Sequence, residues 1–291
     1  MEFINTLVNG LNIGVIYAMI ALGYTMVYGI AKMLNFAHGD IIMVGGYTIY
    51  VFCAMKAASS PAFFFVAIAM AVIVCTLLGV IVEKVAYKPL RGASPLAVLI
   101  TAIGVSYLLQ SLSQIIFKSA TKFVSVPELG KVSIGAVSIK VSTIITLVVS
   151  IAVMISLSLF VKYSKTGRAM IAVSEDRGAA QLMGININNT ISFTFAVGSA
   201  LAGIGSVLYC CAYPKARPTM GSMLGLKAFV AAVLGGIGSI PGAMAGGFAI
   251  GIAEALVSSA GLSEWKDGVV FAILIVVLLV IYLLQKAAII S

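Results

Sequence analysis

The sequence predicts an all-α polytopic membrane protein, and three observations carry the prediction. Of its 291 residues, 62% are hydrophobic, enough for roughly nine apolar segments of ~20 residues each. Only 9% are charged, against ~25% in ordinary soluble domains, and the mean hydropathy is +1.16. The apolar runs are continuous rather than alternating, which argues against a β-barrel. A single core cannot hide this much apolar surface, and a soluble surface needs charge. A soluble globule, a disordered chain, a collagen, a disulfide scaffold and a soluble nucleic-acid binder are excluded on the same grounds.

Taken in order, the runs give about eight or nine transmembrane helices in a single domain over 1–291. Spans are expected at 7–31, 36–55, 62–82, 96–117, 141–161, 190–212, 243–257 and 268–284, with a short run at 224–234. Glu83 and Lys84 end the third run, and two polar stretches, 118–140 and 162–189, separate the middle ones. One or more helices should be short or broken, because 224–234 is too short to cross a bilayer and is followed by the glycine-rich 235–242. No Lys or Arg precedes Lys32, so the first run lacks the basic flank of a cleavable signal and should remain as the first span.

Charge sets the expected orientation. The loop at 83–94 carries Lys84, Lys88 and Arg91, and the segment 162–189 carries Lys162, Lys165, Arg168 and Arg177. Two spans separate these segments, so they share one side, and the positive-inside rule makes that side cytoplasmic. The N-terminus is then outside and the C-terminus inside. The net charge of +9 fits basic loops beside anionic lipid, not a nucleic-acid partner. Cys53, Cys75, Cys210 and Cys211 lie in apolar runs without a CxxC pair and read as small hydrophobes. Gly10 with Gly14, Gly242 with Gly246, and Gly247 with Gly251 have the spacing that lets helices approach closely in lipid. A faint echo links 39–47 with 241–248.

No phosphate-binding loop, HExxH or GxSxG occurs, and one histidine excludes a multi-histidine metal site. The polar groups inside the apolar runs are few, which favours a conduit over a catalyst. Asn35, His38 and Asp40 stand at the mouth of the second run. They read either as a pathway or gate element or as an interfacial cap, with Asn35 capping and Asp40 at the positive end of the helix. Gly235, Gly236, Gly238 and Pro241 interrupt two apolar runs, as a broken helix beside the route or as a tight interhelical turn. Glu254 is an intramembrane carboxylate with no basic neighbour in sequence, functional by default or else a hydrogen-bonded structural group. Lys227 is expected to snorkel.

The segment 165–189 is the most informative. Ser174 can cap a short helix, with Glu175 and Asp176 in its first turn and Gly184 at its C′ position. Ala179, Leu182 and Met183 then share one face. Gly178-Ala179-Ala180-x-x-x-Gly184 has the spacing of the Glu-Ala-Ala-x3-Gly signature that ABC-importer permeases present to their ATPase, with Gly178 in the place of Glu. Together with Gly167-Arg168-Ala169-Met170, Asn35-Phe36-Ala37-His38-Gly39-Asp40, and Leu234-Gly235-Gly236-Ile237-Gly238-Ser239-Ile240-Pro241-Gly242, it closely resembles branched-chain amino acid ABC transporter permeases of the LivH type. The last span lacks the Arg/Lys-Pro-x-Gly turn usual in that family, which makes 281–291 atypical.

The resemblance implies a non-catalytic importer subunit of a bacterial inner membrane. It would pair with a second, related permease and with two ABC ATPase subunits, and an external substrate-binding protein would deliver Leu, Ile or Val. ATP would be bound by the partner subunits, leaving this chain with no cofactor of its own. The coupling loop would be 162–189, with Arg168, Ser174, Glu175, Asp176, Arg177, Gly178, Ala179, Ala180, Leu182, Met183 and Gly184 facing the ATPase. Permeases for urea, short amides, sugars or nucleosides share the architecture and are the alternative within the class; a secondary transporter is the alternative outside it.

Overall fold

Each apolar run of the sequence folds as a helix. The computed structural model describes residues 2–54, 61–126, 130–134 and 137–290. In chain order the helices are α1 (Glu2–Ala31), α2 (His38–Ala54), α3 (Pro61–Val82), α4 (Pro95–Phe117), α5 (Val141–Tyr163), α6 (Lys165–Glu175), α7 (Arg177–Leu182), α8 (Ile187–Ala212), α9 (Met220–Leu234), α10 (Ile240–Ser259) and α11 (Lys266–Ile290). Seven of them are long and apolar enough to cross a membrane. At 17 and 15 residues, α2 and α9 fall short; α9 is about 22 Å long against a ~30 Å hydrocarbon core. Met55, the expected end of the second run, lies outside the described residues, as do parts of 118–140 and Ser291.

Local chemistry starts the helices where the polar residues stand. Ser94 caps α4 ahead of Pro95, accepting from the Ala97 N–H at 3.4 Å. Asn186 caps α8 through the Asn189 N–H at 3.0 Å, and Ser239 caps α10 through the Gly242 N–H at 3.2 Å. Each side-chain oxygen satisfies one of the orphan amides of a first turn. The polar stretch after α4 is not featureless: β1 (Lys122–Phe123) pairs antiparallel with β4 (Lys215–Ala216), and β2 (Lys131–Ile134) with β3 (Val137–Lys140). The tail resembles no turn; α11 continues through it to Ile290.

The core is built around α1, whose residues from Val15 to Leu22 are all buried. The glycine pairs explain how α10 comes so close. A methyl group on Gly10 would stand 2.9 Å from the Ile252 Cα, and one on Gly14 would stand 2.9 Å from the Phe248 Cα. From the other side, Gly247 and Gly251 lie against the Ala18 and Gly14 backbone. The two GxxxG stripes therefore face each other along antiparallel helices. α3 and α8 repeat the arrangement, with Gly79 against Ser199 and Gly203 against Val72.

These pairs reveal an internal relation. α1 runs antiparallel to α8, with Gly23 beside Gly198 and Ile20 beside Gly205. α1 packs on α10 as α8 packs on α3, and the short helices α2 and α9 meet each other. Here Gly39 of α2 packs directly on Gly221 and Gly225 of α9, where any side chain would collide with backbone.

Candidate functional site

The segment 162–189 forms one end of the bundle. Ser164, not Ser174, opens it: its Oγ accepts from the Gly167 N–H at 2.8 Å and starts α6. Ser174 and Glu175 then lie in the last turn of α6, and the Ser174 hydroxyl donates back to the Ile171 carbonyl at 2.7 Å. The cap of the short helix is Asp176, whose Oδ1 accepts from the Ala179 N–H at 3.0 Å. The correction has a physical cause. Met170 is buried in the main core and Val173 in a second apolar cluster with Ala180, and this burial carries α6 past Ser174 to the next residue able to cap.

The far end of α7 follows the sequence expectation. Gly184 has φ +80°, the Gly184 N–H donates to the Gln181 carbonyl, and the Ile185 N–H donates to the Ala180 carbonyl, both at 3.0 Å. That is a Schellman termination, which glycine accepts without strain. Ala180 faces inward, while Gly178, Ala179, Leu182 and Met183 face out. Leu182 is 90% exposed and Met183 82%. Arg168 and Glu175 are exposed as well. Arg177 turns inward, and its Nη2 donates to the Ala31 carbonyl at 2.5 Å. A guanidinium at the negative end of α1 is favourable, and it fastens α7 to the central helix. Nearby, Glu83 is buried at the end of α3, paired with Arg91 and accepting from Ser192 at 2.7 Å, while Arg91 also reaches Asn188.

The polar group before α2 is buried rather than interfacial. Residues 32–37 are not helical and return the chain from the end of α1 into the bundle. Asn35 does not cap α2 with its side chain; its Oδ1 accepts from the Tyr87 hydroxyl at 2.8 Å. Tyr87 belongs to a π-helical turn, Glu83–Tyr87, that extends α3. Asp40 is fully buried. It accepts from the Ser106 hydroxyl and from Gln110 Nε2 at 3.1 Å, and Gln110 reaches Ser222 of α9 at 2.8 Å. His38 is buried edge-on to Tyr24, with ring centroids 4.9 Å apart. Among the described residues, neither nitrogen of His38 nor the Tyr24 hydroxyl has a hydrogen-bond partner. Buried polar groups of this kind call for water or a ligand.

The glycine-rich segment is a hairpin turn between α9 and α10. Gly236 and Gly238 have φ +83° and +100°, values that only glycine adopts freely. Gly236, Gly238 and Pro241 are exposed, Gly235 packs on Gly242, and Gly238 lies beside Gly29 near the end of α1. The segment therefore sits at the same end as α7, whose Arg177 meets Ala31. Glu254 lies elsewhere and is partnered: Lys227 Nζ stands 2.6 Å from its Oε1, and the Tyr17 hydroxyl donates to its Oε2 at 3.1 Å. Lys227 also stands 2.6 Å from Asp267 Oδ1. It is buried and does not snorkel, because two carboxylates from α10 and α11 meet it inside.

The structure thus brings Asn35, His38 and Asp40 together and keeps Glu254 and the glycine turn apart from them. The residues missed in the sequence are Ser106, Gln110 and Ser222. Ser106 and Gln110, four apart in an apolar run, were the available signal for a shared polar face.

A family described as the permease component of branched-chain amino acid transport systems matches residues 6–278. The chain is 43% identical over 289 residues to the high-affinity branched-chain amino acid transport system permease protein BraD of Pseudomonas aeruginosa, covering 96% of this chain and 94% of that one. It is 42% identical over 291 residues to the permease protein LivH of Escherichia coli strain K12, with the same coverage. A probable LivH of Methanocaldococcus jannaschii is 29% identical over 245 residues, 82% of this chain and 76% of that one. No solved structure matches. The chain belongs to the branched-chain amino acid permease family.

Proposed function

We propose that this member of the family is one of two permease subunits of an ABC importer in a bacterial inner membrane. Leucine, isoleucine or valine arrives on an external binding protein, and two ATPase subunits drive its passage. The observation that carries the reading is α7. It is a helix capped at both ends, with Leu182 and Met183 fully presented to the outside and Arg177 fastened to α1. An apolar pair so exposed needs a cover, and the helix is too short to cross a membrane.

The arrangement supports a division of labour. An ATPase seated on α7 pushes on the end of α1 through Arg177. The bundle in turn needs to pass a zwitterion without trapping it, and the few polar groups within the spans fit that task. Recognition then falls to the delivering protein, and hydrolysis to the ATPases.

Ala179→Glu tests the reading. Ala179 is exposed on the same face, so the substitution leaves the fold intact and puts a charge into the interface. The variant should reach the membrane at the parent level but lose ATPase co-purification and leucine uptake. Retained ATPase association with full uptake would overturn the docking of α7. A helix that only rests on lipid predicts weaker membrane contact and unchanged ATPase binding.

A further inference from the structure

The hydropathy of the spans follows their burial, with one exception. α3, α5 and α11 are largely exposed and are the most apolar, with mean hydropathies of 3.0, 2.8 and 2.5. α1, α8 and α10 are half-buried or more and are less apolar, at 1.8, 1.8 and 1.6. That is the order lipid imposes, since polar side chains are tolerated in a span only where protein or water meets them. α4 breaks the order: it is as exposed as α3, yet its mean hydropathy is 1.8.

Part of the difference lies inside the bundle, at Ser106, Gln110 and Ser113, and the remaining weakly apolar or polar residues form an outward stripe. Gly104, Tyr107, Ser111 and Gln114 are all exposed, and at 100° per residue they fall within about 80° of arc. The outward faces of α3 and α11 at comparable depth carry Ile73, Leu77, Ile275 and Leu279 instead. The stripe runs from mid-span to the end remote from α6 and α7, where Phe117 of α4 stacks on Tyr47 of α2 at 4.2 Å. Its edge is continuous with the buried cluster, because Gln110 lies next to Gln114 on the helix surface and bonds Asp40 and Ser222. An amide and a hydroxyl facing hydrocarbon would go unsatisfied; facing water, they are at no disadvantage.

We infer that this face of α4 does not meet lipid: it forms a wall of the water-filled passage crossed by the zwitterionic amino acid, at the seam closed by the second permease subunit. The inference rests on the reading of the chain as one of a permease pair. It assigns to α4 a role that its apolar length alone conceals.

The test uses the assembled complex in native membranes. Ser111→Cys and Gln114→Cys are compared with Ile155→Cys on α5 and Ile275→Cys on α11, whose native side chains are also exposed. Cys53, Cys75 and Cys210 are buried and Cys211 is half-buried, so the parent carrying Cys211→Ser sets the background. A permanently charged methanethiosulfonate reagent added from outside reacts only with thiols that meet water. The two α4 cysteines should react about tenfold faster than the α5 and α11 controls, and their modification should cut leucine uptake severalfold while sparing that of the controls. A photoreactive benzoylphenylalanine in place of Tyr107 should give an adduct with the second permease. α4 cysteines no more reactive than Ile275→Cys, or adducts to lipid alone, would overturn the inference. A parent complex that drives ATP-dependent uptake of a different solute would sink the substrate reading only, and the labelling comparison would still decide the role of α4.

Discussion

Replacing Lys227 with methionine removes one cation and strands two carboxylates. Lys227 Nζ stands 2.6 Å from both Glu254 and Asp267. The two acids are not equally sheltered: the Glu254 side chain is 4% exposed and that of Asp267 36%. Asp267 can turn to solvent, whereas Glu254 keeps only the hydroxyl of Tyr17. Breaking a buried pair from one side costs about 3–5 kcal/mol. At ~2–4 °C per kcal/mol, the unfolding midpoint of Lys227→Met in detergent should fall by about 6–20 °C. Glu254→Gln added to it removes the stranded charge and leaves an amide oxygen to accept from Tyr17. The double variant should recover more than half of the loss. Asp267→Asn alone, at the exposed end, should cost about 1 kcal/mol or less. The measurement is a thermal melt of the purified chain followed by fluorescence or by retention of monodisperse protein. A midpoint for Lys227→Met within about 2 °C of the parent, or a double variant below the single one, would refute the view that this group ties α1, α9, α10 and α11 together.

Asp40→Ala leaves Ser106 and Gln110 without their shared acceptor and should cost about 1–3 kcal/mol; uptake should drop while assembly with the ATPase persists, and normal uptake would remove Asp40 from the pathway. Arg177→Gln loses the charge-assisted bond to the Ala31 carbonyl, worth about 1.5–3 kcal/mol. The complex should still form and hydrolyse ATP, with less leucine moved per ATP; an unchanged transport ratio would mean that α7 acts on α1 by another contact. For orientation, Ser94→Cys and Ser164→Cys should be labelled from the cytoplasm and Ser125→Cys from outside by an impermeant maleimide, and labelling of Ser164→Cys in intact cells would reverse the topology.

The spans were legible because lipid enforces a long apolar run wherever a helix crosses: the run at 96–117 is α4, Pro95–Phe117. The glycine pairs were legible for a similar reason, as close helix approach has few chemical solutions, and Gly10, Gly14, Gly247 and Gly251 meet as their spacing implies. Gly184 ends α7 where a C′ glycine should. What failed was choice among locally equal options. Ser174 and Asp176 are both good caps, and burial of Met170 and Val173 decided between them. Lys227 and Glu254 are 27 positions apart, and no local rule pairs them. The cluster at Asp40 draws on α2, α4 and α9 and was half legible: Asp40 stands at the mouth of its run and Ser106 and Gln110 share a four-residue spacing, but no local rule joins them or brings in Ser222.

The elements around α7 differ in how they can yield. α1 and α10 are locked by backbone-to-backbone contact at Gly10, Gly14, Gly247 and Gly251, and a close-packed interface of this kind shifts as a unit rather than bending. The segment 32–37 has no helical ladder to stiffen it. It begins one residue after Ala31, where Arg177 attaches, is touched at Asn35 by Tyr87 from the π-turn of α3, and ends at His38 and Asp40. A displacement of α7 therefore reaches the start of α2 by six residues of compliant chain held at both sides. α9 meets α2 there through bare glycine backbone, so a small shift of α2 cannot be absorbed by side chains and must move α9 or open the Asp40 cluster. The same contact that makes the centre tight in this structure makes it the place where a motion begun at α7 would be felt.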